Sequence, residues 1–232
     1  MKGSMLSFSK LVIAGAILLW SVLALAAGDR SGVTADEALQ RLLDGNKRYG
    51  ESKMNACDES NRATREKLAK SQKPYAIILS CSDSRVPPEI IFDKGLGEIF
   101  VVRVAGNVLD PVVLGSIEYA AEHLGSPLVM VLGHERCGAV TAAVDAKGKP
   151  EGNIGAIIKI IAPAVKQAKN EYKGKDKAEL VETAINDNAK LVAANIVKQS
   201  PVMKKLVGEG TVKIVAAKYD LDDGKVTLME FK

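Results

Sequence analysis

Cys81 opens the run Cys81-Ser82-Asp83-Ser84-Arg85, and His134-Glu135-Arg136-Cys137 follows further along the chain. Two thiols and an imidazole are donors that zinc takes in proteins, usually at the corners of a tetrahedron. Structural zinc sites close with four protein ligands, whereas catalytic sites keep one corner for water or substrate. The fourth corner here falls to solvent or to a carboxylate, and Asp83, two residues from Cys81, is the carboxylate within reach. The competing reading is a disulfide between Cys81 and Cys137, which would leave His134 and the polar loop after Cys81 without a purpose. The third cysteine, Cys57, has no partner at metal-ligand spacing.

Positioning these groups requires elements that end beside one another. Tyr75 to Ser80, Ile99 to Arg103 and Leu128 to Gly133 are short apolar runs bounded by polar loops or turns, the pattern of buried strands. Asp110 as N-cap and Pro111 as first helical residue open a helix that ends near Gly125. Thr34, with Asp36 and Glu37 in the first turn and Ala38, Leu39, Leu42 and Leu43 at helical spacing, predicts an amphipathic helix over 35–49. A second helix is expected over about 60–70, so that 34–70 forms an N-terminal helical arm. Further helices are expected near 154–172, 177–199 and 201–207, a fourth strand over 211–217, and a turn at Asp222-Asp223-Gly224 into a last strand over 225–231.

The fold class is therefore α/β: a central, mostly parallel sheet of four strands plus a C-terminal edge strand, flanked by helices. In such sheets ligands sit at the carboxyl ends of the strands. Cys81 follows one strand, His134 follows another, and Cys137 lies where the next helix begins. The ligands meet only if those two strands are near neighbours.

The N-terminus carries Lys2 and Lys10, an apolar run from Leu11 to Leu25 and small residues at Ala24-Leu25-Ala26. Residues 1–26 read as a secretory signal peptide, and the run falls short of the roughly 20 residues that a membrane-spanning helix needs. An uncleaved anchor is the alternative. The expected location is the periplasm, with no stable membrane association after cleavage and residues 27–232 as a single domain. A composition of 47% apolar and 26% charged residues fits a globular protein, and a net charge of +4, partly contributed by Lys2 and Lys10, gives no reason to expect nucleic acid as a partner. The lysines of 166–177 read as a solvated helix face and loop.

Three segments together carry a resemblance. Cys81-Ser82-Asp83-Ser84-Arg85-Val86, Arg103-Val104-Ala105-Gly106-Asn107 and Gly133-His134-Glu135-Arg136-Cys137-Gly138 resemble, in order and spacing, the beta class of carbonic anhydrases. The resemblance runs from about Leu39 through Tyr219 and Gly224. It implies a Zn2+ ion held by Cys81, His134 and Cys137, whose bound water, deprotonated near neutral pH, attacks carbon dioxide to give bicarbonate and a proton. It also implies a dyad in which Asp83 orients the hydroxide and Arg85 restrains Asp83, which would otherwise become a fourth zinc ligand in a closed state.

Substrate-pocket positions of the family fall on Gln72, Phe100 and Tyr119, with the backbone N–H of Gly138 available to a substrate oxygen. Each has a plain alternative: Phe100 as strand core, Tyr119 as a helix residue on the sheet, Gln72 as an exposed residue. Family members pair into homodimers or dimers of dimers, with pocket residues supplied across the interface. Some are regulated by bicarbonate through Trp, Arg and Tyr. Arg103 and Tyr219 align there, but the only tryptophan is Trp20 in the signal segment, and an open site is expected. His123 is either a proton shuttle or a solvent-facing helix residue. Two other functions share these residues: hydrolysis of carbon disulfide or carbonyl sulfide with the same machinery, and a non-catalytic role in zinc storage or bicarbonate sensing, which would not need the Asp83–Arg85 pair.

Overall fold

The computed structural model describes residues 31–56, 60–148, 150 and 152–231. Residues 1–26, the expected signal peptide, and Cys57 lie outside the described residues. Helix α1 spans Ala35–Gly50. It starts where the sequence asks it to, because Thr34 accepts from the Glu37 N–H while Glu37 reaches back to the Thr34 N–H. Its buried stripe includes Ala38 and Leu42. A short helix α2, Arg62–Leu68, follows, capped by Asn61.

Strand β1 (Ala76–Ser80) leads through the Cys81 loop to α3 (Pro88–Ile91), a single turn that the sequence pattern does not announce. Strand β2 (Ile99–Arg103) is followed by a tight turn at Ala105–Asn107 and by α4 (Pro111–Glu122). Asp110 caps α4 by accepting from the Val112 and Val113 N–H groups. Then come β3 (Leu128–His134), α5 (Gly138–Asp145), α6 (Ile154–Glu171), α7 (Lys177–Gln199), α8 (Pro201–Gly208), β4 (Lys213–Tyr219) and β5 (Val226–Met229). Strand β4 sits two residues later than the expected 211–217. Thr211 and Val212 are still tied to the end of α8, both donating to the Leu206 carbonyl.

The five strands lie in the order β2-β1-β3-β4-β5; the first four are parallel and β5 runs antiparallel against β4. Successive side chains of the central strands point to opposite faces. Ile78, Met130 and Leu132 therefore join Leu42 and Ile161 in one core, while Ile77, Leu79, Val129 and Val131 join Ile117, Ile196 and Met203 in the other. Burying each such aliphatic side chain contributes about 1.5–3 kcal/mol before entropy is counted. This two-sided cover explains why the strands read as unbroken apolar runs.

Asn46 of α1 locks the first helix to the last strands. Its Nδ2 donates to the Ile91 and Gly224 carbonyls, and its Oδ1 accepts from the Val226 N–H. The Tyr49 and Tyr219 hydroxyls meet at 3.0 Å beside it.

Candidate metal centre

Strands β1 and β3 are immediate neighbours, in register with Ser80 opposite Leu132. Their carboxyl ends therefore deliver Cys81 and His134 to one place, and the turn after β3 brings Cys137 back to them. The Cys81 and Cys137 sulfurs and a ring nitrogen of His134 all lie within 4.8 Å of one another, and all three residues are buried. Both thiols are free.

The imidazole is set for a metal. His134 Nδ1 lies 2.8 Å from the Glu135 carbonyl oxygen, an acceptor, so Nδ1 carries the proton and Nε2 presents its lone pair. Nε2 is buried with no hydrogen-bond partner. An orphaned acceptor facing two thiols is the donor set that zinc satisfies, and the bond of Nδ1 to a carbonyl is the arrangement that orients metal-binding histidines.

The thiols differ. Cys81 is pulled down to about 4, chiefly by the Cys137 thiol beside its sulfur and against the opposing effect of burial, with His134 and then the Gly106 N–H, which donates to the sulfur at 3.2 Å, adding to the fall. Cys137 is pushed up, because its thiol is engaged with the Cys81 sulfur and because burial disfavours its charge, although the Val140 and Ala139 N–H groups at the start of α5 oppose the rise. Metal binding would replace the proton the pair shares.

Arg85 grips Asp83 through two guanidinium contacts, and this ion pair holds the Asp83 carboxyl well below the usual carboxylate range. Asp83 Oδ2 stands 3.9 Å from His134 Nε2. Arg103, at the end of β2, reaches the same loop from the other side, donating from Nε to the Cys81 carbonyl and from Nη2 to the Asp83 carbonyl at 3.1 and 2.6 Å. Arg103 thus fixes the loop backbone, and the Tyr219 hydroxyl pairs with that of Tyr49.

Arg136 stands between two ligands with a left-handed backbone, φ 50°. Three contacts hold it there: its N–H donates to Glu182, and its guanidinium spans both oxygens of Asp222 at 2.9 Å each. Glu135 is paired with Lys218 at 3.3 Å. These two residues shape the ligand turn, a role that the sequence left undefined.

The remaining expected pocket residues are not gathered at the donors within one chain. Gln72 is exposed in a shallow depression with Arg65, Leu68 and Leu96. Phe100 pairs with Ile77, well back along the strands from Cys81, and its ring meets that of Tyr119 at 6.3 Å. Tyr119 is 47% exposed, and His123, at the end of α4, is exposed and packs against it. Gly138 opens α5 directly beyond Cys137, exposed and with open space where a side chain would be.

An α/β sheet with a buried set of two thiols and one imidazole at its carboxyl edge has three donors placed where enzymes of this architecture put their catalytic centres, a set that could hold a metal ion with one position left open. Residues 76–226 match the family model described as carbonic anhydrase. Carbonic anhydrase 2 of Mycobacterium tuberculosis is 38% identical over 198 residues, covering 83% of this chain and 92% of that protein. The carbonic anhydrase of Mycolicibacterium smegmatis is likewise 38% identical, over 82% of this chain and 91% of its own length. Among solved structures, the Coccomyxa beta-carbonic anhydrase in complex with acetazolamide superposes with a TM-score of 0.69 at 25% identity, covering 82% of this chain and 86% of that one. A tetrameric beta-carbonic anhydrase from Sordaria macrospora shares the fold with a TM-score of 0.67 at 22% identity, over 82% of this chain and 96% of that one. The chain belongs to the carbonic anhydrase family and, within it, to the beta class.

Proposed function

We propose that this enzyme is an exported zinc carbonic anhydrase that interconverts carbon dioxide and bicarbonate, with Cys81, His134 and Cys137 holding the ion. The observation that carries the reading is His134 Nε2, buried, deprived of any hydrogen-bond partner and facing two thiols. Zinc in such a site supplies Lewis acidity that lowers the pKa of water toward neutrality. Three protein donors leave the fourth position to that water.

The chain's own residues do the rest. Asp83, held as a carboxylate by Arg85, accepts a hydrogen bond at Oδ2 from the attacking water and turns its lone pair toward carbon dioxide. Arg85 keeps the same carboxylate from swinging inward, which supports an open site. The Gly138 N–H, at the start of α5, offers a donor to the substrate oxygen as charge develops on it.

The pocket is completed in a homodimer or a dimer of dimers. Tyr119 and Val112 are exposed apolar residues of α4, Val112 by 78%, and a second copy seated there brings Phe100, Tyr119 and Gln72 toward the partner's metal centre. Residues 1–26 direct the chain to the periplasm. Among the described residues no helix is long and apolar enough to cross a membrane.

The deciding experiment measures zinc content and stopped-flow carbon dioxide hydration on one preparation, from neutral to alkaline pH. About one zinc per chain with fast hydration at neutral pH is expected. Zinc without hydration at any pH would overturn the catalytic assignment, and activity confined to alkaline pH would overturn the open site.

A further inference from the structure

On α7, Asn188 is a buried polar residue to which the mechanism above gives no part. Its Nδ2 donates to the Gly106 carbonyl at 2.9 Å, across 82 residues of sequence. The orientation of the carboxamide follows from chemistry, since only the NH2 end can face a carbonyl. The N–H of the same glycine donates to the Cys81 sulfur at 3.2 Å. Gly106 thus sits between two hydrogen bonds, its carbonyl held from the middle of α7 by Asn188 and its N–H donating to a candidate metal donor.

Gly106 has no freedom to make this bond by accident. Its φ is +71°, and a Cβ there would stand 2.8 Å from the Ile161 Cδ1 atom and 3.1 Å from the Ala139 Cβ atom. Gly106 is therefore pressed between α5 and α6, and Asn188 holds the peptide on its carbonyl side. Cys81 is meanwhile held at its carbonyl by Arg103. Backbone and sulfur of this one ligand are each fixed by a different element.

We infer that Asn188 is a positioning residue of the metal centre: by holding the Gly106 carbonyl it fixes the backbone at Gly106, so that the N–H on the other side of the same residue stays aimed at the Cys81 sulfur and withdraws charge from it. A thiolate that accepts an N–H bond donates less electron density to its metal, leaving the ion a stronger Lewis acid. Two thiolates make zinc a poor acidifier, and this bond offsets part of that disadvantage on one of them. The inference rests on the zinc reading above, and its test separates the two.

The test uses the holoprotein with zinc exchanged for cadmium-113 or cobalt. In the wild type, the Gly106 amide proton is expected to show scalar coupling to bound cadmium through the sulfur, and the Asn188 side-chain protons are expected to exchange slowly. In Asn188→Leu, which replaces the carboxamide by an apolar side chain of similar size, the coupling weakens or disappears. The thiolate-to-cobalt charge-transfer band moves to lower energy, and zinc is lost to a chelator about tenfold faster. A purely structural asparagine would not move that band. If Asn188→Leu does not fold, the two wild-type measurements still decide. Stoichiometric metal with an uncoupled Gly106 proton, or a folded variant with unchanged coupling and band, overturns the inference. Failure to bind cadmium or cobalt at all overturns the zinc reading and removes the ground on which the inference stands.

Discussion

Arg85 meets Asp83 on two fronts, Nε to Oδ1 at 2.9 Å and Nη2 to Oδ2 at 2.7 Å, and its backbone N–H adds a third bond to Oδ1 at 3.0 Å. Removing the guanidinium in Arg85→Ala frees a carboxylate that is already 3.9 Å from the metal-facing nitrogen of His134. Hydration at neutral pH should fall roughly 10- to 100-fold and recover as pH rises, with zinc content unchanged. X-ray absorption should then report an added carboxylate oxygen at zinc. An unaltered metal shell together with an unaltered rate would sink the proposed restraint.

The donors and the carboxylate should separate cleanly in mutants. Cys81→Ser and Cys137→Ser are expected to lose metal, whereas Asp83→Ala should keep it and lose on the order of 100-fold in turnover. Metal analysis beside steady-state kinetics tells the two apart. Full activity in Asp83→Ala would remove Asp83 from the mechanism.

The sequence disclosed this site unevenly, for physical reasons. Cys81, His134 and Cys137 were legible because donor types and strand ends are local features, and the adjacency of β1 and β3 was the one condition left for the fold to meet. The Asn188–Gly106–Cys81 arrangement was not, since nothing local marks an asparagine in a long helix as the partner of a carbonyl 82 residues away. The only hint was Gly106 itself, a glycine just past a strand. Arg103, the last residue of β2, entered the sequence reading only through the family resemblance, and its attachment to two carbonyls depends on the path of a loop that periodicity does not describe. Helix α3 escaped because a single turn carries no period.

A further prediction concerns stability. Asp187 is buried on α7, accepts only from Gln167, and is pushed up to about 6, chiefly by burial and then by the charge of Glu171, with Lys190 opposing. Its folded value lies above the unfolded 3.8, so the stability it contributes is complete below about pH 4 and is lost as pH rises through about 6. Asp187→Asn should therefore stabilise the protein at pH 7, by at most about 3 kcal/mol, and flatten the fall between pH 4 and 7. Denaturant unfolding across that range measures it; parallel curves for the two proteins would contradict the burial argument.

Gly106→Ala should be costly twice. A left-handed backbone penalises any L side chain by about 1–2 kcal/mol, and the methyl collides with Ile161 and Ala139 for about 1–3 kcal/mol more. Thermal unfolding should record the loss, and zinc retention should weaken with it. A variant as stable as the wild type would mean that α6 yields more easily than its packing implies.

The clasp of Asn46 on Gly224 and Val226 makes the start of the domain depend on its end. Helix α1 leaves the ribosome well before the groups it is built to hold, which lie some 180 residues further along the chain. A nascent chain can assemble local pieces, but this clasp cannot close until Gly224 and Val226 have been made. If the chain is exported as proposed, that delay would keep it pliable during the interval in which a finished domain could not be threaded through a membrane.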